Sequence, residues 1–284
     1  MFRKILLPFF ILVFSFIPLG RRLSVFLNPP QVFSQEAGSQ EFNKAYQEYQ
    51  TRLEEYQKAH DDYILARSQY LKFLTLTSKQ NAQVATSIML KARDAVVVSY
   101  LKTLVARMNE IEGIPAENRQ TVMDKLNAEI AWFEDHKNNI SASDSLDTLT
   151  SKSDEAKKRY TELNILAHTA LFTISDGRIN DYQKRHSEIF QRTKDKFEQI
   201  KNEKREDYTL SDRKKEIIER WISEAEARAA KSEESQADAQ KSLNLGVNIQ
   251  TYTIAISKLD TSQEYLKEAT LFVKEIIREI TVSE

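Results

Sequence analysis

The 284-residue chain contains no cysteine. Disulfides and thiolate metal sites are therefore excluded, and so is a lipid-modified amino-terminal cysteine. Proline is almost as scarce: beyond residue 34 it occurs only as Pro115, and glycine only as Gly38, Gly113, Gly177 and Gly246. So few turn formers leave little material for tight strand connections, which argues against a β-rich fold. Glycine motifs that cradle phosphate or expose a nucleophilic serine are missing as well. Of the four histidines, His60, His136, His168 and His186, no two stand three or four apart and none follows a glutamate by three. The helical ligand sets of zinc and di-iron sites are thus not formed. No catalytic, cofactor-binding or metal-binding residue is assigned from these patterns, no cofactor is expected, and no small-molecule ligand is identified.

What is present is periodicity. Phe42, Tyr49, Tyr56, Tyr63 and Tyr70 stand seven apart, with Tyr46, Leu53, His60, Arg67 and Leu74 between them. Alternating steps of three and four put both rows on one stripe of a long α-helix that needs other helices to cover it. Charged residues make up 29% of the chain and are interleaved in sign, as solvated helix faces require.

The amino terminus differs from the rest. Met1–Lys4 is short and basic, Ile5–Leu19 is a mostly apolar run of 15 residues without charge, and Val32-Phe33-Ser34 ends in a small residue. This three-part pattern predicts a secretory signal peptide over 1–34, cleaved after Ser34. The alternative is a retained membrane anchor, although the run is shorter than the ~20 residues of a spanning helix and contains Pro8 and Pro18. Arg21-Arg22 and the length of the exit segment fit cleavage less well. Removing Arg3, Lys4, Arg21 and Arg22 leaves 37 basic residues against 42 acidic, a balance of −5. Such a body has no general attraction to nucleic acid or anionic lipid. The expected location is extracytoplasmic.

The stripes map six to seven long helices. The first covers about 39–77, with a capping box at Thr77-Ser78-Lys79-Gln80. The second covers about 80–112, with Val84, Ile88, Val96, Val97, Leu101, Leu104, Met108 and Ile111; Val96-Val97-Val98 is apolar on several sides, which places this helix centrally. Gly113 stops it and Pro115 opens the third, 115–140, with Val122, Leu126, Ile130, Phe133 and Ile140. A segment over 145–204 follows, whose stripe jumps five residues between Ile174 and Ile179 around Gly177; a kinked helix and a hairpin both accommodate this. The fifth helix, 211–243, has a small-residue seam of Ala225, Ala229, Ser232, Gln236 and Ala239. The sixth carries Tyr252, Ile256, Leu259, Gln263, Leu266, Thr270, Val273, Ile277 and Ile280. The expected fold is all-α: elongated antiparallel bundles or coiled-coil hairpins, with a four-helix bundle over 39–176 and a three-helix bundle over 177–284. Helices one and two should form an antiparallel hairpin, with the rings over or beside the small strip Ala85, Ala92, Ser99 and Ala106.

Other candidate sites have plain readings. The tyrosine row is core rather than a binding strip. His60 and His186 sit on the helix stripes as satisfied boundary residues. Asp61-Asp62 and Asp176 lack the glycine-turned loop of a calcium site. Lys201, Lys204, Arg205 and Arg213-Lys214-Lys215 are interrupted by acids, so no nucleic-acid surface is assigned. Asn139-Ile140-Ser141 matches a glycosylation acceptor.

The stretches Ala45–Leu74 (AYQEYQTRLEEYQKAHDDYILARSQYLKFL), Ala92–Leu104 (ARDAVVVSYLKTL) and Ala128–Lys137 (AEIAWFEDHK) resemble segments of uncharacterised exported helical proteins from bacteria of the candidate phyla radiation. The resemblance implies a bacterial envelope context and carries over no activity and no functional residue. The function expected is a non-enzymatic structural or interaction protein that meets protein partners or further copies through its helical faces, with a possible amino-terminal tether. The alternative is a ligand-binding or sensory bundle with a cavity along Ala225–Ala239.

Overall fold

The computed structural model describes residues 40–202, 210–244 and 246–281. The signal peptide expected over 1–34, with cleavage after Ser34, and Lys204-Arg205 lie outside the described residues. The packing described below belongs to one compact unit, Glu41–Glu284.

Among the described residues there are six α-helices and no strand: α1 Gln40–Phe73, α2 Leu76–Glu110, α3 Ala116–Asn139, α4 Leu146–Asn202, α5 Asp212–Leu243 and α6 Ile249–Thr281. The fold is an all-α helical bundle. The boundaries follow local chemistry. α2 opens on a capping box two residues earlier than expected: Thr75 Oγ1 accepts from the Ser78 N–H at 3.1 Å, and Ser78 Oγ accepts from the Thr75 N–H at 3.1 Å. Leu74 adopts a left-handed conformation with φ 51°, which lets the chain reverse there and makes Thr75 the cap. At the other end of α2, the Arg119 guanidinium donates to the carbonyls of Asn109 and Ile111, groups the helix itself leaves unpaired. Pro115 precedes the first residue of α3, and Ser211 caps α5 through the Lys214 N–H. Of the two expectations for Gly177, a kinked helix and a hairpin, the hairpin is excluded: α4 is one continuous helix of 57 residues that includes Gly177.

Phe42, Tyr49, Tyr56 and Tyr63 are buried. α1 and α2 run antiparallel: the Phe42 ring lies 4.9 Å from the Arg107 guanidinium, Tyr49 lies 5.5 Å from Tyr100, and Thr103 Oγ1 donates to the Ala45 carbonyl at 3.1 Å. The residues the rings meet stand one position beyond Ser99 and Ala106, so the rings lie beside the small strip. Burial raises the phenol pKa values of Tyr49, Tyr56 and Tyr63.

α2 is buried on several sides, with Leu90, Val97, Val98, Leu101, Leu104 and Met108 inside. Its expected stripe is wrong at one end, because Val84 and Ile88 are exposed and Arg93 and Asp94 are buried. Those two charges can turn inward because they neutralise each other. α3 packs Val122, Leu126, Ile130 and Phe133 as expected. The first half of α4 lies on α2 and α3, and its second half on α5 and α6. There Ile189 is exposed and its neighbour Phe190 packs toward Phe197, Ile218 and Ile276.

α5 and α6 meet along two rows of completely buried residues seven apart: Ile218, Ala225, Ser232 and Ala239 on one, Ala255, Ser262, Ala269 and Ile276 on the other. They run in antiparallel register, marked by Ser232 Oγ 2.9 Å from Ser262 Oγ. Part of the expected α6 stripe is thereby corrected. Ile256, Leu259, Leu266, Val273 and Ile280 are core, but Gln263, Thr270 and Ile277 give way to Ser262, Ala269 and Ile276. Small side chains let the two backbones approach, so the closest row is not the most hydrophobic one.

Candidate functional site

The most concentrated chemistry lies where α2, α3 and α4 converge. Arg93 and Asp94 are 3% and 0% exposed, a placement that ionised side chains tolerate only when paired. Arg93 donates through Nε and Nη2 to Asp94 Oδ1 at 3.1 and 3.0 Å, and through Nη1 to Ser153 Oγ at 3.3 Å. Asp94 Oδ2 lies 2.6 Å from His136 Nδ1, and His136 Nε2 lies 3.0 Å from the Lys152 carbonyl. The imidazole thus bridges a carboxyl group on α2 and a backbone carbonyl on α4.

Aromatic rings enclose this chain of bonds. Trp132 stacks on His136 with centroids 4.8 Å apart and planes 12° apart. The Arg159 guanidinium covers Trp132 at 4.5 Å while its Nε and Nη2 grip Glu129 at 3.1 and 2.7 Å. Tyr160 lies 5.8 Å from Arg93. Burial pushes its phenol up to about 12; Arg93 opposes the rise and Asp94 adds to it. Tyrosine 160 therefore stays neutral across the physiological range. Both Asp94 oxygens are committed to neighbours within the bundle, and the arrangement joins three helices rather than presenting a nucleophile or base to an outside molecule.

A second polar cluster joins α4 to α5. Gln236 Nε2 donates to Asp176 Oδ1 at 2.9 Å and to Asn180 Oδ1 at 2.7 Å, and Gln240 Nε2 donates to Asp176 Oδ1 and Oδ2 at 3.1 and 3.0 Å. Asp176 is thus held by side-chain amides. A third joins α4, α5 and α6, where Gln183 Nε2 donates to Ser232 Oγ at 3.3 Å and Ser262 Oγ donates to the Ser232 carbonyl at 2.8 Å. The seam Ala225–Ala239, where a ligand cavity was the alternative expectation, is occupied here by α6.

The remaining candidates are dispersed. His60 lies between the Tyr56 and Tyr63 rings at 5.9 and 6.2 Å. His168 packs on Tyr252 at 4.6 Å with Nε2 unbonded. His186 faces Thr270 through Nδ1 at 3.3 Å, and its Nε2 has no partner, so it is only half satisfied. Burial lowers the pKa of both. Asp61 and Asp62 are exposed. Among the described residues no group of three or more His, Asp or Glu could hold a metal. Lys201, Lys214 and Lys215 pair with Glu219, Glu279 and Asp212. Asn139 is exposed at the end of α3.

The Arg93–Asp94–His136 network is what sequence reading missed. The signal was available: a charged pair stands inside Ala92–Leu104, next to Val96-Val97-Val98, on a helix expected to be central. Its histidine lies in Ala128–Lys137, another of the stretches singled out by resemblance. The chain matches no protein-family model, and neither a curated protein nor a solved structure is significantly similar to it.

Proposed function

We propose that this chain is an exported, non-enzymatic structural or interaction protein of a bacterial cell envelope or the extracellular space, working by offering helix faces to protein partners or to further copies of itself. The observation that supports this reading best is the saturation of Asp94: its carboxylate is 0% exposed and is spent on Arg93 and His136. Polar groups used in this way hold a scaffold in register. The leader pattern of residues 1–34 supports export. Continuous helix stripes with heptad spacing support a rod or coiled-coil form.

Expression of the full chain in a bacterial host, followed by fractionation and amino-terminal sequencing, tests the first half. A product outside the cytoplasm that begins at Gln35 is expected; a full-length cytosolic product would remove it. Cross-linking on intact source cells tests the second half, with specific protein adducts or self-adducts expected. Turnover of a small molecule by the purified chain, lost on changing Asp94, would replace the reading with an enzyme.

A further inference from the structure

The turn between α1 and α2 is unlike the rest of the surface in two respects. The first is apolar exposure: residues 71–77 are all exposed, among them Leu71, Phe73, Leu74 and Leu76, the last two at 70% and 72%. They lie past the point where Gln83 Nε2 donates to the Asp144 carbonyl at 3.2 Å, which marks how far the α3–α4 connection reaches along α2. The second is charge. From Tyr63 to Arg93 there is no carboxylate, in a chain with 42 of them, whereas Arg67, Lys72, Lys79 and Lys91 stand in that interval and Lys72 and Lys79 flank the turn itself.

Leu74 adds a conformational oddity. Its φ of 51° belongs to a region that glycine fills freely and leucine does not. A glycine there would end α1 with less strain, and an exposed leucine gains nothing from the fold. A large apolar side chain kept at such a position is better explained by contact with something outside the chain.

We propose that the α1–α2 turn is a membrane-surface anchor, in which Leu71, Phe73, Leu74 and Leu76 enter the interfacial layer of an anionic bilayer while Lys72 and Lys79 meet headgroup phosphates. A convex turn with lysines set between its apolar residues suits lipid better than protein, since protein interface cores are depleted in lysine. Lysine stems can lie along apolar surface with the ammonium at headgroup level. The Lys72 ammonium already sits 5.2 Å from the Phe73 ring centroid. No described helix is long and apolar enough to cross a membrane, so this contact is with the surface.

The absence of cysteine makes the test local. The full chain carrying Thr77→Cys, labelled with a polarity-sensitive fluorophore, is titrated with vesicles of phosphatidylcholine mixed with phosphatidylglycerol. The same is done with Ser223→Cys, an exposed site on α5. A blue shift at position 77 and none at 223 is expected, weakened by salt and small with phosphatidylcholine alone. Lys72→Glu with Lys79→Glu should weaken the response at least ~10-fold, and Phe73→Ser with Leu74→Ser by a similar factor of about 10. Circular dichroism melting of both variants checks that they remain folded, and the lysine pair decides alone if the apolar pair does not. Vesicle binding through the amino-terminal segment with no change at position 77 would overturn the proposal. So would equal shifts at 77 and 223, indifference to phosphatidylglycerol, or a shift that rises with protein concentration without lipid, which would indicate a second copy in the turn's place.

Discussion

Gly113 and Gly177 pack back to back: a Cβ on Gly113 would stand 2.1 Å from the Gly177 carbonyl oxygen, and one on Gly177 would stand 2.4 Å from Ile114 Cγ1. The turn between α2 and α3 is thereby pressed onto the middle of α4. Asn180 Nδ2 donates to the Gly113 carbonyl at 2.9 Å, and the Asp181 carboxylate accepts the Gly113 N–H. The glycine inside α4 exists for this approach, not to break the helix.

The close approach inverts an ordinary expectation. Gly→Ala inside a helix normally stabilises by about 1 kcal/mol. Gly177→Ala should instead destabilise by roughly 2 kcal/mol or more, since the turn must move away. Urea unfolding of the purified protein measures the sign, and a stabilised variant would mean that the turn does not pack there.

The buried network makes a prediction of the opposite kind. Asp94→Ala leaves Arg93 buried without its carboxylate and should cost about 3–5 kcal/mol. Replacing all three members with apolar residues of similar volume (Arg93→Met, Asp94→Leu and His136→Phe) should recover most of that loss. Denaturant midpoints of the single and triple variants, compared at equal slope, check both halves.

Ser232 and Ser262 test the small-residue contact between α5 and α6. Changing both to Ala removes donor and acceptor together and should alter stability by less than about 1 kcal/mol. Ser232→Leu should cost roughly 2–3 kcal/mol, because the facing row has no room for it. Thermal melting with the calorimetric enthalpy distinguishes the two outcomes.

Acid should destabilise the protein through His168 and His186. Burial holds both folded-state pKa values below the ordinary histidine value of 6.5. The unfolded chain therefore binds more protons as pH falls, so their contribution is complete above pH 6.5 and is lost as pH drops toward the folded values. Each can add a slope of at most about 1.4 kcal/mol per pH unit. Stability measured from pH 7.5 to 4.5 should fall less steeply in the His168→Phe, His186→Phe double variant.

Most of the helices were legible in the sequence because a covered stripe repeats at helical spacing, and Leu126, Phe133 and Leu266 lie where that repeat puts them. Errors cluster where size or pairing outranks hydrophobicity. Ile277 looked like core and Ser262 did not, yet backbone approach selected the serine. Val84 and Ile88 were expected in the core and are exposed, while Arg93 and Asp94, which the stripe left out, are buried as a mutually neutralising pair. Thr77 and Thr75 are equally good caps by composition, and only the reversal at Leu74 chose between them.

The amino-acid order by itself settled that the chain is helical, roughly where each helix starts and stops, and which aromatic row is buried, because these depend on local propensity and on periodicity within one segment. It could not say that α4 runs unbroken through Gly177, that this glycine seats Gly113, or that Arg93, Asp94 and His136 meet. Those are contacts between residues 42 to 64 positions apart, and their register is decided only when whole helices pack and each buried charge and each close backbone must find its counterpart.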